Sequence, residues 1–325
     1  QAYEELVQHL PSEHVLGIDE SPTKQDPRKS WVWTFVARRY TVFALRTTRA
    51  ATVLHDLLTD SFEGVVNCDR AKMYWNIGRP QWCWAHLKRD FQALVDHPDQ
   101  QVKRLGRDLM RPTKELFRHW ARCRDGTITR RGFERLMQPI RREIDSFLLR
   151  GVFSGNPKLR GMCEPLYDHR QWLWTFVDVQ GVEPTNNASE RALRPAVIWR
   201  KLSFGTQSAA GSRFVDTILT VVETCHRQSR NSFEYLTAAI QAHDLALLQA
   251  THHVEHEDQD RTRDHERADR RHHVPKAVAV AVRVRLDAAR HAHQPEDHHR
   301  LEGQVEADEH DPEVQLAPAL VHHAA

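Results

Sequence analysis

Short apolar runs dominate the N-terminal part of the chain. β-rich runs occupy residues 13–20, 31–37 and 40–45, and the close spacing of the last two predicts an antiparallel hairpin that continues from the first strand. Residues 50–58 have the apolar spacing of a helix instead. Residues 64–68 form a short, continuously apolar run, typical of a strand buried on both faces. The pattern therefore predicts three strands, a helix and a fourth strand.

The pattern changes to helical spacing from about residue 84 to 167. Apolar residues recur three or four positions apart, with little strand character, which predicts an all-α block. Residues 171–177 fit either a helix or a last strand, and the pattern does not decide between them. Two amphipathic helices are expected over about 211–228 and 232–248, with Asn231 and Ser232 at the start of the second.

Three acids follow this order of elements. Asp19 ends the first apolar run and Asp69 ends the run of the fourth strand. Glu190 lies in a short helix that is expected to begin at Thr185 or Asn186, both good N-cap residues. Acids at the ends of the first and fourth strands, in this order of elements, indicate an α/β fold with a ribonuclease H-like mixed sheet.

Two strand-end aspartates and a helical glutamate are the components of a two-metal phosphoryl-transfer centre. Two Mg²⁺ (or Mn²⁺) ions about 3.5–4 Å apart would activate the attacking oxygen and neutralise the leaving oxygen. Asp19 is expected to bridge the ions, Asp69 to hold the nucleophile-side ion and Glu190 the leaving-group side. Each acid alone is weak evidence. Acids at strand ends are common and are usually solvated or cap a following helix, and Glu190 alone also fits a surface residue or a helical i,i+4 partner of Arg194. The joint arrangement favours catalysis.

The charge distribution adds a phosphate-bearing partner to this interpretation. Residues 1–250 carry 36 Lys and Arg against 28 Asp and Glu, whereas residues 251–325 carry 10 against 16. A basic body favours DNA or RNA as a partner. Five cations near the third acid are expected to contact backbone phosphates without reading bases, although a solvated helix face is the simpler interpretation for any one of them: Arg191, Arg194, Arg200, Lys201 and Arg213.

The C-terminal 75 residues have a narrow composition. Residues 251–325 contain no Trp, Phe, Tyr, Ile, Met, Cys, Ser or Asn, and they hold 13 of the 22 histidines. Such a segment buries too little apolar surface to offset its ordering entropy, which predicts a disordered tail. We hypothesise that it derives from DNA read in the wrong frame. Because the chain starts at Gln1, we also expect upstream sequence to be missing.

The cysteines indicate a reducing environment. Their number, 5, is odd and their spacing is irregular, which does not suggest a disulfide framework. No apolar run is long enough to span a bilayer and the first residues lack a signal-peptide layout, so a cytoplasmic location is expected.

Cys83 and His86 have the spacing of metal ligands, but no second Cys/His pair is evident, which favours local packing over a structural zinc.

Three blocks of this sequence resemble insertion sequence 66 transposases. Residues 186–195, followed by 200–206, resemble the third-acid region of that family and are the most specific match. Residues 83–91 resemble the block after its second acid, and residues 17–21 resemble its first-acid block. The similarity covers roughly residues 13–245.

The resemblance implies a DDE catalytic domain of ribonuclease H-like fold, which uses Mg²⁺ to cut element ends and join their 3′-hydroxyls to target DNA. It carries Asp19, Asp69 and Glu190 over as the catalytic triad, and it gives the Cys83 and His86 pair importance without a defined role. The implied partners are element-end and target DNA and further copies of the chain in a synaptic complex, with no membrane. The implied location is the bacterial cytoplasm, in association with the nucleoid.

Two residues depart from the family pattern: Ser21 stands where Thr is common, and Arg70 stands where Gly is usual. The expected organisation is a remnant of an upstream region (1–12), a catalytic domain in two parts (13–82 and 171–230), a helical insertion between the second and third acids (83–170), a C-terminal helix (231–250) and the tail (251–325). Two alternatives stay open: a catalytically silent DNA-binding remnant of a decayed element, and a ribonuclease H-like nuclease or resolvase.

Overall fold

A mixed five-stranded sheet organises residues 2–246, the part of the chain that this computed structural model describes. Its strands are β1 (Val15–Gln25), β2 (Arg28–Val36), β3 (Thr41–Arg46), β4 (Val65–Cys68) and β5 (Arg79–Trp82). They lie in the order β3-β2-β1-β4-β5. β2 is antiparallel to β1 and β3, whereas β4 is parallel to β1 and β5. The predicted hairpin, the buried fourth strand and the mixed α/β class are confirmed.

Helices surround and extend this sheet. They are α1 (Ala2–His9), α2 (Thr52–Leu58), α3 (Trp84–Val95), α4 (Gln100–Arg124), α5 (Arg130–Val152), α6 (Pro157–Asp168), α7 (Thr175–Asp178), α8 (Asn187–Ser203) and α9 (Ala209–Arg227). Residues 232–246 are helical as well, and Asn231 Oδ1 accepts the N–H groups of Phe233 and Glu234, so the predicted cap is confirmed. The helical character predicted for residues 84–167 is confirmed. The predicted tail and the end of the 232–248 helix lie outside the described residues.

The segment that the pattern left undecided is helical. A 3₁₀ turn over Arg170–Leu173 leads into α7. The Thr175 hydroxyl donates to the Pro80 carbonyl oxygen (2.7 Å), and the Phe176 N–H donates to Gln81 Oε1 (2.7 Å). These bonds join α7 to β5 through side chains, so residues 175–178 pack beside β5 and add no strand to the sheet.

The first strand is longer than predicted. The expectation that it stops at Asp19 is wrong, because β1 continues to Gln25. Pairing with β2 runs from Gly17 to Gln25, whereas pairing with β4 ends at Gly17. The antiparallel partner therefore sustains the polar second half of β1, and Asp19 lies just beyond the parallel pairing.

The two faces of the sheet have different cover. The larger apolar cluster includes Leu16, Ile18 and Val66 and continues through α2 into α3–α6. A smaller cluster joins Val32, Phe43 and Leu45 of the sheet to Leu193 and Ala196 of α8 and Val215 of α9. The second cluster packs α8 and α9 against β2 and β3. No helix in the described part of the chain is both long enough and apolar enough to cross a membrane.

Candidate active site

Two neighbouring parallel strands place the first two predicted acids side by side. In the β1–β4 pairing Gly17 lies opposite Asn67, so Asp19 and Asp69 each follow two residues after this pair. Asp69 comes directly after β4, and its Oδ1 accepts the Ala71 N–H (2.8 Å). Asp19 Oδ1 accepts the N–H of the following residue (2.9 Å). Local hydrogen bonds therefore orient both carboxylates.

A glycine allows α8 to approach β1 closely. A Cβ atom at Gly17 would lie 2.3 Å from Ser189 Oγ and 3.3 Å from Asn186 Oδ1, so only glycine fits this contact without a shift. Asn186 Nδ2 donates to the Ile18 carbonyl oxygen (2.8 Å). Asn186 is the N-cap residue of α8, as predicted, but its side chain makes no capping bond and is bound to β1 instead. The first turn of α8, which carries Glu190, is thereby fixed beside the first acid.

A second asparagine holds the segment that precedes α8. Asn67 Nδ2 donates to the carbonyl oxygens of Glu183 (2.8 Å) and Thr185 (3.0 Å). The Trp84 N–H donates to the carbonyl oxygen of Pro184 (2.9 Å). The sequence analysis did not identify Asn67 or Asn186 as positioning residues. Their signal in the sequence is weak, because it consists only of position: Asn67 lies two residues before Asp69, and Asn186 lies four residues before Glu190.

The site is strongly negative. Burial is the largest cause that raises the pKa of Asp19 to about 7, and the charge of Glu20 is the next. The charges of Asp69 and Glu190 also raise it, because both acids lie within electrostatic range of Asp19. An ionised Asp19 is therefore destabilised unless a cation approaches.

A fourth acid, which the sequence analysis did not assign, lies beside the predicted three. Glu20 accepts a hydrogen bond from Arg49 Nε (2.6 Å) through Oε1 and one from the Tyr74 hydroxyl through Oε2. Burial raises the pKa of Glu20, and the bonds from Tyr74 and Arg49 oppose that rise. Both oxygens of Glu20 are therefore occupied by donors of the protein, and its charge is paired with that of Arg49.

The predicted phosphate-binding cations occupy different environments. Arg191, Arg194, Lys201 and Arg213 are exposed. Arg200 is partly buried, and its Nη1 donates to Ser21 Oγ (2.9 Å) and to the Pro22 carbonyl oxygen, so that it joins the end of α8 to β1.

Arg70, one of the two residues that depart from the family pattern, forms an ion pair with Asp90 of α3. The extra positive charge beside Asp69 is therefore balanced by an acid of the protein.

The Cys83 and His86 pair gains a third polar neighbour. Cys83 precedes α3 and His86 lies in its first turn. Potential ligand atoms of Cys83, His86 and Glu190 all lie within 4.8 Å of one another, and His86 Nε2 is 3.7 Å from Glu190 Oε1. Among the described residues, His86 is the basic side chain within 4.0 Å of the Glu190 carboxylate, and no ion pair joins Glu190 to Arg194. The alternative interpretation of Glu190 as an i,i+4 partner of Arg194 is therefore not supported.

Comparison with known proteins gives one family and two distant relatives. The family model described as "Transposase IS66 family" matches residues 1–213. The uncharacterized protein y4qI of Sinorhizobium fredii is 24% identical over 201 residues, which are 55% of this chain and 36% of that protein. The uncharacterized protein y4jO of the same organism is 27% identical over 185 residues, 56% of this chain and 53% of that protein. The chain thus spans about a third to a half of these relatives. No solved structure gives a significant match.

Proposed function

The chain belongs to the IS66 transposase family, and we propose that residues 13–230 form the catalytic core of a DNA transposase of the DDE type. The observation that carries this proposal is that Asp69 and Glu190, which are far from Asp19 in sequence, lie near enough for their charges to raise the pKa of Asp19. We assign these three acids as the catalytic triad.

The order of the elements supports a ribonuclease H-like catalytic domain. Three antiparallel strands are followed by a helix and by a strand parallel to the first, with acids on the first strand and directly after the fourth. α3–α6 separate the second acid from the third along the chain, which fits a helical insertion over 83–170.

The acids fit a pair of hard divalent cations. Asp19 is partly buried beside other carboxylates, and Glu190 Oε1 has no hydrogen-bond partner among the described residues. Carboxylate oxygens are the ligands that Mg²⁺ and Mn²⁺ prefer. When bound between these carboxylates, the ions would supply an activated oxygen nucleophile and charge neutralisation at the leaving oxygen.

The protein's own residues hold this arrangement in place. The contact at Gly17, the Asn186 side chain and the Asn67 side chain fix α8 and the segment before it against β1 and β4. The Glu20–Arg49 pair, with a buried Glu20 side chain and an exposed Arg49, lies beside the acids. We propose that DNA backbone phosphates lie along the exposed cations of α8 and α9: Arg191, Arg194, Lys201 and Arg213. Such contacts position the strand without reading its bases.

The test is cleavage of supercoiled plasmid and of labelled element-end duplexes with and without Mg²⁺. Asp19→Asn, Asp69→Asn and Glu190→Gln should abolish nicking and leave salt-sensitive DNA binding within about twofold, because each change removes a ligand charge and little volume. Glu183→Gln, at an exposed position before α8, is the matched control and should nick like the wild type.

Two results would contradict the proposal: wild-type protein that shows no divalent-dependent nicking, or Glu190→Gln protein that nicks normally. Equal loss of nicking and DNA binding in Glu190→Gln would show that Glu190 is structural. Joined products from a labelled 3′-hydroxyl end distinguish a transposase from a nuclease, which would yield cleavage products alone.

A further inference from the structure

Three side chains with different ligand chemistry meet at the N-terminus of α3. Potential ligand atoms of Cys83, His86 and Glu190 lie within 4.8 Å of one another, with His86 Nε2 and Glu190 Oε1 3.7 Å apart. Zinc bonds of about 2.0–2.3 Å in tetrahedral geometry place ligand atoms roughly 3.3–3.8 Å apart. The His86–Glu190 separation already has this value, and small side-chain rotations close the remaining gaps.

The backbone presents the first two ligands from one side of α3. Cys83 is the N-cap residue of α3, and His86 lies three positions later, which brings both side chains to the same side of the first turn. The Asn186 N–H donates to Cys83 Sγ (3.2 Å), and this bond opposes the larger rise that burial causes in the pKa of the Cys83 thiol. The same segment leads into α8 and brings Glu190 to the pair.

One carboxylate oxygen in this cluster is shielded from water without a partner. Glu190 Oε1, which lies 3.7 Å from His86 Nε2, has no hydrogen bond within the described part of the chain. A buried polar atom that lacks a partner costs free energy, and a bound cation offsets that cost. The side chains of His86 and Glu190 are 34% and 39% exposed, so an ion has a route to them.

We propose that Cys83, His86 and Glu190 form a binding site for Zn²⁺ or a similar thiophilic divalent ion. A thiolate, an imidazole and a carboxylate suit Zn²⁺ and Co²⁺, whereas Mg²⁺ and Mn²⁺ prefer oxygen ligands. Three protein ligands leave one tetrahedral position for water or a phosphate oxygen. The site differs from the set of three acids in its ligands and shares only Glu190 with it.

Sharing Glu190 has a regulatory consequence, which rests on the proposed function. A thiophilic ion that draws Glu190 towards Cys83 and His86 withdraws a carboxylate from Asp19 and Asp69. Because one Glu190 side chain serves both sets, Zn²⁺ should inhibit Mg²⁺-supported nicking.

The binding test is a Co²⁺ titration of the full chain under reducing, anaerobic conditions. A Co²⁺–thiolate bond gives a sulfur-to-cobalt charge-transfer absorption in the near ultraviolet, which the 13 histidines of residues 251–325 cannot produce. The wild type should show this band, and added Zn²⁺ should bleach it. Cys83→Ser should lack the band, whereas Cys123→Ser, a change at a half-buried cysteine outside the cluster, should keep it.

His86→Gln and Glu190→Gln should weaken Co²⁺ binding at least about tenfold while the band remains attributable to Cys83. His86 and Glu190 are partly exposed, so their substitution should leave the fold intact. These two variants therefore test the site even if circular dichroism shows that Cys83→Ser, at a buried position, does not fold. No band in the wild type, a band in folded Cys83→Ser, or unchanged affinity in both other variants would overturn the site. A cobalt band in a protein that does not nick DNA would reject the proposed function and leave the metal site standing.

Discussion

The contact between β1 and α8 gives a quantitative test of how the third acid is positioned. In Gly17→Ala the new Cβ atom would lie 2.3 Å from Ser189 Oγ, against the 3.4–4 Å of ordinary van der Waals contact. The separation must therefore grow by about 1 Å, and overpacking of this size costs about 1–3 kcal/mol in the free energy of unfolding. A displacement of about 1 Å at a catalytic residue also lowers the rate by about 100-fold.

A second substitution should reverse the effect. Ser189→Ala removes Oγ and leaves Ser189 Cβ at 3.7 Å from the new methyl group. Ser189 Oγ is buried and has no hydrogen-bond partner among the described residues, so Ser189→Ala alone should be neutral or slightly stabilising. In the double variant most of the stability should return, and the coupling energy between the two sites should be about 1–3 kcal/mol. Rescue should be incomplete, because Asn186 Oδ1 still lies 3.3 Å from the Cβ position.

The assay combines urea denaturation, followed by circular dichroism, with Mg²⁺-dependent plasmid nicking. The matched control is Gly161→Ala in α6, where an added Cβ meets nothing within 4 Å. This control should leave nicking unchanged and raise the free energy of unfolding by up to about 1 kcal/mol, because alanine favours helix over glycine. A Gly17→Ala protein with wild-type stability and nicking, or a double variant without recovery, would refute the packing argument.

Three further predictions concern buried polar groups. Burial raises the pKa of Asp216 to about 7. Between about pH 4 and 7, Asp216 is therefore protonated in the folded chain and ionised in the unfolded chain. The free energy of unfolding should fall as the pH rises through this range. Asp216→Asn, which keeps an acceptor for the Leu45 N–H, should flatten this slope of the urea midpoint, and an unchanged slope would contradict the assignment. Arg130→Met should lower the free energy of unfolding by about 1–3 kcal/mol, because the Arg130 guanidinium donates to the carbonyl oxygens of Phe176 and Val177. Thermal denaturation measures this loss, with Arg135→Met at an exposed position as the control. Equal stability of the two variants would contradict the prediction. Asn67→Ala should speed hydrogen exchange in residues 183–190, since two bonds that hold the segment are lost; unaltered protection by mass spectrometry would show that those bonds are dispensable.

The elements that local pattern describes well were predictable from the sequence. Alternating and continuous apolar residues indicated the β2–β3 hairpin and β4, and helical spacing indicated α3–α6. β5 was missed because Arg79–Trp82 is short and contains Pro80, and only its pairing with β4 makes it a strand. The second half of β1 was missed because its residues are largely polar and their pairing with β2 comes from distant contacts that no local pattern shows.

The sequence singled out three candidate acids, but it did not show how they are brought together. Strand ends and a charged helix indicated Asp19, Asp69 and Glu190, and their joint order along the chain favoured a shared site. The bond from Asn186 to Ile18 joins residues 168 positions apart, a relation that no local pattern contains. The same holds for the approach of Glu190 to Cys83 and His86, which changes a pair with metal-ligand spacing into a set of three.

The most direct test of the account is where Mn²⁺ binds. In crystals of the protein soaked with Mn²⁺, anomalous difference maps should show density contacted by the carboxylates of Asp19, Asp69 and Glu190, and the density should disappear in Asp19→Asn crystals. An ordered pocket without such density, or with Glu190 turned away from the two aspartates, would contradict the claim that these acids form one metal-binding catalytic site.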